Sequence, residues 1–276
     1  MPESFRSFER SISTAFLCGF ISMLCWLLIG CGGSTAVPPV PIHAMNGNFS
    51  ISATSAGASG VNTFAGAVQT DSAGHVTGIV HVQGSFLFCF GLLLELPLTG
   101  TIDSTGHLDA TITGAGQAIT LNATVSPNGA LLSDGAYSGS GTSCVGGDHG
   151  AITGFQVQPF TGAYSGTFNP SPSTNITLQL ALTQSAVPNS HGTFPVNAST
   201  VTVTGGAACG FASATLVAGD ASGDDMELLL LGSDEVSLMI FIGSATNGDT
   251  SVVRGLILMD TGPCSGQNGL VNLSRP

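Results

Sequence analysis

Apolar and polar residues alternate through most of the chain after residue 45. The pattern is plain in Val76-Thr77-Gly78-Ile79-Val80-His81-Val82, in Leu108-Asp109-Ala110-Thr111-Ile112-Thr113 and in Ile119-Thr120-Leu121-Asn122-Ala123-Thr124-Val125. It recurs in Ile176–Leu182 and in Thr200–Thr204. A period of two puts successive side chains on opposite faces, so each run predicts a strand with one buried and one wet face, as in antiparallel sheets. Turn sequences separate the runs: Asp71-Ser72-Ala73-Gly74, Asp103-Ser104-Thr105-Gly106, Pro127-Asn128-Gly129 and Asn247-Gly248-Asp249. Glycine or asparagine supplies the positive φ that such hairpins need. Asp-Ser-x-Gly-His occurs at Asp71–His75 and again at Asp103–His107, which predicts one turn type used twice. Met226–Leu231 follows a glycine-aspartate turn and is too short for a helix; it reads as a buried strand.

Short strands at spacings of about ten residues predict a meander. The cysteines divide it. Cys89 and Cys144 are 55 positions apart, as are Cys209 and Cys264, and the two pairs are offset by 120. Other features follow the same offset. Gly135 falls on Gly255, Gly146 on Gly266, and Ala118–Leu121 on Leu238–Phe241. We read two copies, 46–158 and 160–276, each with room for seven or eight strands. The fold class is all-β: two tandem antiparallel meanders, barrel-like because closure removes sheet edges. The alternatives are a β-sandwich, or both copies forming one larger barrel. The spacing pairs Cys89 with Cys144 and Cys209 with Cys264, one disulfide in each copy. Free thiols are the other reading. A zinc site lacks the closely spaced Cys/His sets it would need.

Residues 1–30 carry a different pattern. Arg6 and Arg10 precede an apolar stretch from Ala15 to Ile29. As a helix it would be about 22 Å long, short of the ~30 Å hydrocarbon core, which favours a cleaved signal over a permanent span. The stretch ends in Leu28-Ile29-Gly30-Cys31, which resembles the lipobox of bacterial lipoproteins. The resemblance covers the leader alone. It implies cleavage after Gly30, lipid on Cys31 and residence in the bacterial cell envelope. Gly32, where the best-known sorting scheme has an inner-membrane aspartate, implies the outer membrane. Residues 31–45, with Pro38, Pro39 and Pro41, read as a tether. A Gly-x-aromatic-Ser opening in each copy, Gly47-Asn48-Phe49-Ser50 and Gly162-Ala163-Tyr164-Ser165, is similar to that of lipocalin-like barrels. The lipocalin pattern has tryptophan there and residues 31–276 have none, so the resemblance bears on architecture only.

Charge narrows the partners. The chain has no lysine, and its formal net charge is −12. Nucleic acid requires a basic footprint, and anionic headgroups a basic patch; neither exists. With 43% hydrophobic residues the chain is not a disordered acidic tail.

Candidate chemistry is sparse, and the chain has no Gly-x-Ser-x-Gly elbow, Walker loop or His-Glu-x-x-His. Asp220, Asp224, Asp225 and Glu227 lie within eight residues and offer the oxygen ligands a calcium loop needs. The spacing of known calcium loops is missing, and a solvated hairpin turn accounts for them better. Asp148 beside His149 is an acid-histidine pair with no assignable nucleophile. His75 and His81 read as turn and surface residues. Glu95 is the one charge in the apolar run Phe86–Leu98. Such a carboxylate lies either in a pocket or on the wet face of an edge strand, and the wet face is the commoner placement. The run is either a fully buried strand or an exposed contact surface. With Phe86, Phe88, Leu92 and Leu94 it would line a cavity if one exists. The sequence calls for no cofactor. It points to a membrane-anchored, non-enzymatic module for a small apolar ligand or a protein partner. The alternatives are a structural envelope or adhesion module without a pocket, and a hydrolase built on paired carboxylates.

Overall fold

A computed structural model describes residues 43–57, 61–90, 95–142, 145–171 and 174–276. Cys31, Leu92, Leu94 and Cys144, named above, lie outside them. The protein is all-β. The first eight strands are β1 (Asn46–Ser55), β2 (Val61–Thr70), β3 (His75–Gln83), β4 (Glu95–Ile102), β5 (His107–Gly114), β6 (Gln117–Val125), β7 (Leu131–Ser140) and β8 (His149–Gln156). The next eight are β9 (Gly162–Ser171), β10 (Thr174–Gln184), β11 (Phe194–Thr204), β12 (Ala214–Ser222), β13 (Asp225–Gly232), β14 (Leu238–Thr246), β15 (Asp249–Met259) and β16 (Asn268–Ser274). Each set is an up-and-down antiparallel meander closed into its own barrel, β1 pairing with β8 and β9 with β16. Neither the sandwich nor the single larger barrel forms.

The alternation read from sequence sets which side chains point inward. In β6, Ile119, Leu121, Ala123 and Val125 are buried while Asn122 and Thr124 face water. An eight-stranded barrel is just wide enough for side chains to fill. Phe49, Phe64, Leu96 and Leu121 help fill the first; Tyr164, Phe168, Leu228 and Phe241 help fill the second. Phe49 and Tyr164 come from the two Gly-x-aromatic-Ser openings, and Gly47 and Gly162 before them share a positive φ of 127° and 135°. The two Asp-Ser-x-Gly-His turns are also alike. Asp71 Oδ1 accepts the N–H groups of Ala73 and His75 at 2.8 and 2.9 Å. Asp103 Oδ1 accepts those of Thr105 and His107 at 2.8 and 3.0 Å.

The described residues of the run Phe86–Leu98 form neither one buried strand nor an exposed sheet face. Residues Phe86–Cys89 form one helical turn, α1, and β4 begins at Glu95. The turn folds inward, so that Phe86 and Phe90 join the first core. Phe86 lies 6.2 Å from the Phe64 ring and 6.0 Å, edge-on, from Tyr137. A 3-10 turn, Ala207–Cys209, occupies the same place in the second barrel and buries Cys209 and Phe211. Cys209 is bonded to Cys264, with Cα atoms 5.0 Å apart. Cys264 precedes the eighth strand of its barrel and Cys209 follows the third, so the bridge ties the turn after the third strand to the segment before the eighth. Cys89 is likewise disulfide-bonded.

The barrels pack as one compact unit. Hairpin tips of the second rest on the outer wall of the first. Asn48 Nδ2 donates to Gly223 O at 2.8 Å while Asn48 Oδ1 accepts from Gly223 N at 2.6 Å. Gly223 has φ +56°, and a Cβ there would meet Ala65, so the docked tip needs glycine. The β10–β11 connection, longer than its β2–β3 counterpart, lets Gly192 O accept from Ala67 N at 3.1 Å.

Candidate functional site

The interior of each barrel is occupied by the protein itself. Phe86, with 3% of its surface exposed, is a plug that fills the first barrel's mouth. Phe88, two residues on, is 74% exposed. They line no common cavity, because the helical turn sends them in opposite directions. Glu95 begins β4 on the outer wall of the barrel, and its Oε1 lies 2.8 Å from His191 Nδ1 of the second barrel. His81 Nε2 lies 2.9 Å from His191 O. Both contacts therefore belong to the inter-barrel junction, which no local sequence pattern announces.

The four clustered carboxylates sit on the β12–β13 hairpin. Asp220 faces Glu227 across the strands and Asp225 faces Ser222, all turned outward; Asp224 lies in the turn. Two of them already have partners. Asp220 Oδ1 accepts from Thr193 Oγ1 at 2.9 Å, and Asp225 accepts from Gln83 Nε2 and Ser244 Oγ. Asp224 differs. Its Oδ1 is buried with no hydrogen-bond partner among the described residues. Burial first, and the charge of Asp225 second, push its carboxyl up to about 6. Among the described residues no group of three or more His, Cys, Asp or Glu side chains is placed to hold a metal ion.

Asp148 does not orient the His149 ring. Its Oδ2 accepts from Tyr137 OH at 2.9 Å and its Oδ1 from Ser55 Oγ at 2.6 Å, while His149 Nδ1 lies 3.3 Å from Gly147 O. Burial, then the Asp148 carboxylate, push the Tyr137 phenol up to about 12. The pair is a structural clasp. His75 Nδ1 rests 2.9 Å from Asp71 Oδ2 on the surface, and His75 holds that carboxyl below its usual range.

Among the described residues the two most voluminous clefts are lined by both barrels, and a smaller one by the second barrel alone, along Ser165, Gln179 and Thr200. The largest cleft described, about 630 Å³, runs along Asn46, Asn48, Gln156, Gln158, Gln184 and Phe194. A second, about 460 Å³, is lined by His81, Gln83, Asp220, Asp225, Glu227 and Ile242. The fold and these features define a tandem, side-chain-filled meander barrel with mouth plugs. Comparison with protein-family models, with curated proteins and with solved structures finds no match.

Proposed function

We propose that the protein is a lipid-anchored, non-enzymatic module of the bacterial envelope that works through protein contacts on its outer surface. The observation that carries this reading is the filling of both barrels. Phe49, Phe64, Phe86 and Phe90 occupy the first, and Tyr164, Phe168, Phe211 and Phe241 the second. A carrier of apolar ligands keeps a cavity in its barrel or at its mouth. Here a disulfide-bonded plug takes that place. The lipobox-like Leu28-Ile29-Gly30-Cys31 supplies the anchor. Titration with radiolabelled palmitate and with an environment-sensitive apolar dye tests the reading. No saturable site is expected, and one-to-one binding in the micromolar range would refute it.

A second reading, a small-ligand module, is favoured by the 630 Å³ cleft. Its exposed rim carries the side-chain amides of Asn46, Gln156 and Gln158, with Phe194 buried at its floor. It predicts amide NMR shifts confined to these residues when a small ligand is added.

A further inference from the structure

The outer walls of the two barrels share a backbone and differ in chemistry. In the first, Thr99, Thr111, Thr120, Ser138 and His149 stand side by side in register across β4 to β8. This is a wet face. The corresponding row of the second barrel reads Ala218, Leu229, Ile240, Leu258 and Asn268. The next row is Glu227, Ile242, Leu256 and Leu270, and Leu231 pairs with Leu238 above them. Eight large aliphatic side chains therefore form one patch over β13–β16. Ile242 is 47% exposed and Leu270 81%. The first copy carries Thr111, Thr120 and Ser138 where the second has Leu229, Ile240 and Leu258, and Asn122 and Ala136 where it has Ile242 and Leu256, so folding does not require large aliphatic side chains there. A contiguous apolar surface of this kind marks a contact site.

We infer that this face joins two copies of the chain in an isologous dimer. Strands β13, β14 and β15 are each paired along both edges, so association over this patch is face to face rather than by strand addition. The borders of the patch are complementary to themselves. Arg254 stands at one side, on β15, its guanidinium with no ion-pair or hydrogen-bond partner among the described residues; Glu227 stands at the other, on β13, at the rim of the cleft it lines with His81 and Gln83. A two-fold axis lying in the interface sets Arg254 of each copy against Glu227 of the other. The exposed apolar area is on the order of 400 Å², about half of the ~800 Å² per partner that a stable interface buries, and the polar border supplies the rest. A lipid surface fits less well. The border is acidic, the chain has no lysine, and Tyr137 and Tyr164 are buried rather than placed at a membrane interface.

The test is sedimentation equilibrium of the full lipidated chain in density-matched detergent. A dimer is expected at micromolar concentration. Leu270→Lys and Ile242→Lys should each weaken it at least tenfold with the melting temperature of the monomer unchanged. Thr120→Lys, on the equivalent row of the first barrel, should leave it intact. Arg254→Glu should weaken the dimer, and adding Glu227→Arg should restore it. A parent chain that stays monomeric at 100 μM overturns the inference. So does a Cys31→Ser chain that floats with phosphatidylethanolamine vesicles and loses that property in Leu270→Lys, because the face would then belong to lipid. Neither outcome touches the reading that the barrels carry no internal ligand.

Discussion

Truncating Phe86 should be costly, and truncating Phe88 should not. Phe86 is 3% exposed and packs on Phe64 and Tyr137 at the mouth of the first barrel. A phenylalanine that buries about 150 Å² is stabilised by about 4 kcal/mol at ~25 cal/mol per Å². Phe→Ala changes in cores cost about 3–5 kcal/mol, and the mouth position, where water can partly refill the gap, points to the lower end, about 3 kcal/mol. Phe88 is 74% exposed, and its truncation should stay within about 0.5 kcal/mol. The assay is urea unfolding followed by far-ultraviolet circular dichroism, comparing midpoints at a common slope. The cavity-lining reading of the same run predicts the reverse for Phe86: a small stability loss and a larger ligand space. A cost under 1 kcal/mol for Phe86→Ala, or similar costs for both variants, would refute the plug.

Replacing Cys209 and Cys264 together by alanine should cost about 4 kcal/mol by the loop-entropy model for a separation of 55 residues, read as a lower urea midpoint under non-reducing conditions, with the Cys89 disulfide left intact. Asp224, its folded pKa raised to about 6 from 3.8, binds a proton more tightly in the fold than in the unfolded chain. Its favourable contribution is complete below about pH 4 and is lost as pH rises through about 6. Asp224→Asn should therefore match the parent near pH 3.5 and exceed it by about 2 kcal/mol at pH 7, after discounting for partial exposure; equal midpoints at pH 7 would remove the argument. Cys31→Ser should move the protein from the detergent phase to water on phase separation, and unchanged partitioning would contradict the lipobox reading.

What could be read from the chain was what repeats locally. Alternation in Ile119–Val125 marked a half-buried strand because the two faces of a barrel wall differ in wetting. The Asp71 and Asp103 turns were visible because their hydrogen bonds close within four residues. The Cys209–Cys264 bond was visible because the other pair repeats its spacing. The plug was not visible. Phe86–Cys89 is four residues long, too short for any helical period, and its apolar composition suits a strand equally well. The informative residue was Cys89. Cys89 is disulfide-bonded and sits in the helical turn rather than in a strand of the wall. Contacts such as Asn48 with Gly223, 175 residues apart, carry no local pattern.

Leu228-Leu229-Leu230-Leu231 marks the same boundary for the candidate contact face. Four consecutive leucines read as a strand buried on both sides, as in a parallel sheet. In β13 only Leu228 and Leu230 enter the barrel; Leu229 and Leu231 point away from it. The run has lost its alternation because a second requirement is laid over the first. One set of leucines fills the barrel, and the other lies on its outer wall, Leu229 beside Ile240 and Leu231 beside Leu238. Thr111 stands in the position of Leu229, and Thr120 in that of Ile240, so the two copies act as a controlled substitution on one backbone. Where an inward-facing position is apolar in both copies, burial explains it. Where an outward-facing one is threonine in the first and leucine in the second, the explanation has to come from outside the barrel.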